Sequence, residues 1–174
     1  MQFLKIWLLC VAAAIVYGIA HDQVTARVCV EYFTIGHPPV FKTSSPTLLA
    51  FGWGVIATWW MGAFLGLLVG LSARFGKPPK VTAQELLRPV SILLLVMAVS
   101  ALCAGMLGFV LASRGQISLR DWEYVLGHEK AIRFVADFCA HLTSYLVGFF
   151  GGLLVCGWIL LRRIRPRAMH TTSG

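Results

Sequence analysis

Histidines and carboxylates gathered at the margins of apolar segments are what this chain offers for chemistry. Four of the five histidines, His21, His37, His128 and His141, lie in or beside two polar stretches that also hold six of the seven acids. Imidazole with carboxylate is the donor set of zinc and iron sites and of proton relays. The strongest spacing is Arg133, Asp137, His141 and Tyr145, each four residues after the last, which puts all four on one helical face. Asp137 is then placed to accept from one ring nitrogen of His141 and leave the other for a metal, a proton or a ligand. Tyr17 and His21 repeat the one-turn spacing at the end of the first apolar run. We therefore take His21, His37 and His141 as candidate ligands of a divalent metal, zinc or iron. Asp22, Glu31 and Asp137 are further ligands or supports of the ligating rings.

Plainer readings stand beside these. Polar residues at the ends of membrane spans often mark only the interface, and Arg133 with Asp137 is an ordinary helical ion pair. No HExxH, ExxH or paired CxxC signature is present; His128 and Glu129 are followed by Lys130, Ala131 and Ile132, without a second histidine. His128 is a weaker candidate than the other outer histidines, and His170, in the tail, reads as solvated. Haem between spans is disfavoured, because no two histidines fall deep on separate apolar runs. Cys29 and Cys139 both fall on the outer side and form a candidate disulfide tying the first loop to the fourth span.

These groups must be positioned by a membrane scaffold. Of 174 residues, 58% are hydrophobic and 13% charged, with mean hydropathy +0.78, against about 25% charged in soluble domains. A spanning helix needs about 20 mostly apolar residues. Four runs qualify, at residues 3–20, 48–71, 90–112 and 138–161, so the expectation is an all-α integral membrane protein, a single membrane domain over residues 1–174 built as a four-helix bundle. Lys and Arg are retained on the cytoplasmic side. The N-terminus, residues 72–89 and the tail 162–174 hold nine basic residues against one acid, whereas the loops 21–47 and 113–137 hold six of each. Both termini are therefore expected in the cytoplasm, with the bacterial inner membrane as the location. A cleaved signal peptide is the competing reading of the first run, with Gly18 and Ala20 as small residues before the cut.

The first loop is expected to cap the bundle. Val24, Ala26, Val28 and Val30 alternate with polar residues as in a strand, while a helix would bring Arg27 and Glu31 together; Gly36 to Pro39 stops either. The third loop reads as a short amphipathic surface helix over residues 118–125, with Ser118 and Asp121 as its N-terminal cap. Small residues let membrane helices pack closely. Gly54, Gly62, Gly66 and Gly70 form one such row and Gly148 and Gly152 part of another, for contacts within the chain or for homo-oligomers. The tryptophans, Trp53 among them, read as interfacial anchors. Arg162, Arg163, Arg165 and Arg167 form a basic tail suited to anionic lipid headgroups. The net charge of +8 thus reports orientation and lipid contact, and nucleic acid is not an expected partner.

The functional expectation is a small polytopic membrane protein with a His/carboxylate-rich, metal-binding site at its extracytoplasmic face. The alternatives are an accessory or structural subunit bound to a membrane partner, and a small proton-coupled transporter. The central thirds of the spans carry no charge, which disfavours the transporter.

Overall fold

Backbone removed from water must satisfy its own polar groups, so apolar runs of this length become helices. The structure, a computed structural model, describes residues 1–77 and 79–164, the side chain of Arg120 excepted. It contains α1 (Gln2–Val28), α2 (Val30–Thr34), α3 (Pro46–Ile56), α4 (Trp59–Arg74), α5 (Ala83–Ser113), α6 (Arg120–Leu126) and α7 (His128–Ile164). Four helical stretches, α1, α3 with α4, α5 and α7, are long and apolar enough to cross a membrane. Pro78, Arg165, Arg167 and His170 lie outside the described residues.

Each of these stretches runs past the bounds that hydropathy predicts. The second half of the expected loop 72–89 belongs to α5, which starts at a capping box: Thr82 Oγ1 accepts from the Glu85 amide while Glu85 Oε2 accepts from the Thr82 amide at 2.9 Å. Glu85 also pairs with Arg162 at 2.7 Å. α7 begins ten residues before the expected span, and Gly127, at φ +80°, lets α6 stop and α7 start at once.

The alternation in the first loop does not make a strand. α1 carries on to Val28, and α2 follows after the extended residue Cys29. Arg27 and Glu31 do not meet. Arg27 turns to Gln23 and Thr47, and Glu31 pairs with Lys130. α6 has no side-chain cap from Ser118, and Trp122 stacks on Phe134 at 4.0 Å between ring centroids.

α1 packs against α3 and α4, α5 against α7, and α4 against α7. The glycine row makes the first contact close. A Cβ on Gly54 would lie 2.5 Å from the Ile19 amide nitrogen, and one on Gly62 would lie 2.7 Å from Ala14 Cβ. Gly66 faces Trp7 and Gly70 faces Phe3, while Gly148 receives Met97 and Gly152 receives Leu65. At one end of the bundle Ile6, Val69, Ala73, Leu86 and Ile159 form a buried cluster. There Arg163 donates to the carbonyls of Ser72, Phe75, Lys77 and Pro79. Arg162 also lies over the Trp158 ring, so both described arginines of the basic tail make contacts within the chain. At the other end α2 and the segment to Ser45 cover the helices, with Ala26, Phe33, Leu49, Ala50 and Trp53 buried together. Trp53 is thus a core residue of this cover, packed on Phe41 and His37, and not an interfacial anchor.

The second spanning stretch is broken at Ala57 and Thr58. The Thr58 hydroxyl donates back to the Gly54 carbonyl, and the Ala57 carbonyl, freed from the helix ladder, accepts from the Tyr145 hydroxyl at 3.3 Å. A neighbouring helix thereby satisfies the backbone group that the break releases.

Candidate metal centre

The site lies under the cover, where α1 meets α7. His141 is buried, and its Nδ1 lies 2.8 Å from the backbone carbonyl of Asp137, one turn back. A carbonyl only accepts, so Nδ1 carries the hydrogen and in the neutral ring Nε2 carries a lone pair. That Nε2 stands 3.2 Å from Oδ1 of the buried Asp22. Lone pair and carboxylate oxygen repel unless a proton or a cation lies with them. His21 completes the group: its ring meets that of His141 edge-on at 4.6 Å between centroids. One ligand atom each from His21, Asp22 and His141 falls within 4.8 Å of the other two.

Two buried polar atoms in the described residues have no hydrogen-bond partner, His21 Nε2 and Asp137 Oδ2. An unsatisfied buried group costs about 1–3 kcal/mol, and a cation held by His21 would relieve the orphaned ring nitrogen. The surroundings are aromatic. Tyr32 stacks on His141 at 4.4 Å, Tyr17 stacks on His21 at 5.7 Å, and the Tyr17 hydroxyl shares a 2.7 Å hydrogen bond with Ser144. The rings enclose a cavity of about 80 Å³ that also reaches Trp53, the broken Ala57–Thr58 turn and Tyr145.

The sequence candidates separate into two sets. His21, Asp22 and His141 come together. His37 borders the same cavity but stands outside the group of three; its Nδ1 donates to the Tyr32 carbonyl at 2.8 Å, and its ring packs between Phe33 and Trp53. Glu31 is not at the site, because it pairs with Lys130. That hydrogen bond from the ammonium holds its carboxyl below the usual glutamate range. Asp137 supports His141 through its backbone carbonyl rather than its carboxylate, and it has no ion pair with Arg133, which is exposed. His128 is exposed and pairs with Glu123 at 2.7 Å. All five cysteines are free, so the candidate bridge is not formed: Cys29 Sγ lies by Glu31 and the Lys130 carbonyl, whereas Cys139 packs on Gly108. Burial pushes the Cys29 thiol up to about 11 and raises the Tyr32 phenol as well.

Tyr32, Trp53, Thr58 and Ser144 line the cavity, and sequence reasoning had assigned none of them to a site. Their apolar or weakly polar surroundings in sequence carry no signal, and only the folding of four helices brings them together. Compared with family models, curated proteins and solved structures, the chain has no match.

Proposed function

We propose that this protein is a membrane metalloprotein that holds a divalent cation between His21, Asp22 and His141. The observation that carries the reading is the convergence of three ligand atoms from two helices, with the His141 lone pair facing a carboxylate. Two imidazoles and one carboxylate suit tetrahedral zinc with one open position, and they suit ferrous iron bound by a facial triad. A tetrahedral ion with bonds of about 2.1 Å sets its ligand atoms about 3.4 Å apart. The 3.2 Å between His141 and Asp22 is close to that spacing, and His21 needs only a small approach. When bound, the cation supplies a Lewis-acid or redox centre with a free coordination site. The chain supplies the rest: His141 is fixed in one tautomer, aromatic walls limit water, and Asp22 neutralises charge in an apolar setting. The excess of basic residues at the opposite end supports an extracytoplasmic position for the centre.

Elemental analysis with an absorption spectrum of detergent-purified protein tests the proposal. The expected result is one zinc or iron per chain, falling to about a tenth or less in His21→Ala and His141→Ala variants that keep their helical content. Unchanged metal content in both variants, or none in the wild type after supply of either metal, overturns it.

A further inference from the structure

The chamber under the cover, about 80 Å³ in volume, is bordered by all three residues of the proposed centre, His21, Asp22 and His141. Tyr17 and Ser144 border it too. Each stands one helical turn from a candidate ligand, Tyr17 before His21 on α1 and Ser144 after His141 on α7. The two helices run in opposite directions, since Ile6 meets Ile159 in the cluster at one end and His21 meets His141 near the other. Both hydroxyls therefore fall on the same side of the centre, about 5 Å further into the bundle. Their shared 2.7 Å hydrogen bond uses one of the two hydroxyl hydrogens, and neither group has another partner among the described residues. One O–H is left to donate, beside a chamber in which an acceptor fits.

Size is the second constraint. An apolar cavity of about 150 Å³ takes benzene, so one of this volume has room for about half as much, roughly three heavy atoms. Met61 and Met97 supply walls from α4 and α5. Of the described residues around the chamber Tyr145 alone is exposed, and its hydroxyl is tied to the Ala57 carbonyl.

We infer that this chamber is the substrate site of the centre, and that its substrate is a compact molecule with an acceptor atom at each end, one on the cation and the other taking a hydrogen bond from the Tyr17–Ser144 pair. The inference rests on the metalloprotein reading and adds to it a class of substrate. Small oxygen-bearing molecules of the size of carbon dioxide or formate fit, whereas peptides, sugars and lipid chains do not.

Cobalt(II) serves as the probe metal, and azide, a linear triatomic anion with an acceptor at each end, as the probe ligand. The full chain in detergent is loaded with cobalt, its cobalt content is measured, and the cobalt absorption bands are followed as ligand is added. Azide should shift the bands of wild type, whereas imidazole, whose ring exceeds the chamber, should leave them unchanged. Met61→Ala and Met97→Ala, which open the walls, should admit imidazole with cobalt content unchanged. Tyr17→Phe combined with Ser144→Ala, which removes both hydroxyls, should weaken azide about tenfold at equal cobalt content, the weight of one hydrogen bond to a charged group. The methionine variants test size and the hydroxyl variant tests the donor, so misfolding of one leaves the other to decide. No response to azide, imidazole binding as strongly as azide in wild type, imidazole excluded from both methionine variants, or azide undiminished without the hydroxyls, each in protein that holds cobalt, overturns the inference and leaves the metal reading in place. Absence of cobalt from wild type overturns the metal reading, and the inference falls with it.

Discussion

His141 and Asp22 show how one hydrogen bond settles the chemistry of another. Because Nδ1 is committed to a carbonyl, the other nitrogen turns a lone pair toward an acid. Away from this centre, the pair between Glu31 and Lys130 ties the cover to α7. Glu31 has its pKa lowered by the Lys130 hydrogen bond, so the stability it contributes is complete above the ordinary glutamate value of 4.5 and lost as pH falls through the lowered one. Wild type should therefore melt above Lys130→Met at neutral pH, and the difference should vanish on acidification. A difference in melting temperature that stays constant with pH would show that the pair does not act through ionisation. The meeting of His21 with His141 was legible, because His141 sits one turn inside an apolar run, where an ionisable group is costly without a role, and His21 closes another run at a similar depth. The partner of Glu31 was not, since Lys130 lies 99 residues away and no spacing rule links them. Asp137 was misjudged for a local reason: at a spacing of four, the histidine ring reached the backbone carbonyl rather than the side chain.

At the scale of elements, the close seam between α1 and α3 sets the position of two of the three candidate ligands, which both ride on α1. Gly54→Ala would press a methyl group into the Ile19 backbone at 2.5 Å, and such overpacking costs about 1–3 kcal/mol. We expect a lower melting temperature together with loss of metal. Gly157→Ala, where a Cβ would meet nothing within 4 Å, serves as the control and should be neutral or stabilising by about 0.5–1 kcal/mol. Equal behaviour of the two variants would show that the seam does not hold the site. Helix identity was readable from hydropathy, whereas helix ends were not. Hydropathy reports which residues suit lipid, and these helices continue past that boundary under capping and tertiary contacts, as at Thr82 and Glu85. The break at Ala57 also left no trace, because its cause is a hydroxyl that any apolar helix tolerates, Thr58, and a remote partner, Tyr145.

For the whole molecule, charge predicts orientation, and the exposed positions Val40 and Phe75 lie at opposite ends of the bundle. In a background without the five native cysteines, Val40→Cys should react with a membrane-impermeant maleimide in intact spheroplasts. Phe75→Cys should react only after the membrane is opened. The reverse pattern would invert the topology and move the proposed centre to the cytoplasmic side.

The length of the helices bears on how such a centre meets water. α1 has 27 residues and α7 has 37, or about 40 and 56 Å at ~1.5 Å per residue, against a hydrocarbon layer of about 30 Å. Counted from the opposite end of each helix, His21 and His141 both stand roughly one hydrocarbon thickness along the bundle. With those far ends at the opposite membrane surface, the proposed centre would lie at the depth where acyl chains give way to headgroups. A thin bilayer leaves it in the hydrated zone and a thick one covers it, so the acyl-chain length of the host lipid is itself a control on the solvent of the site.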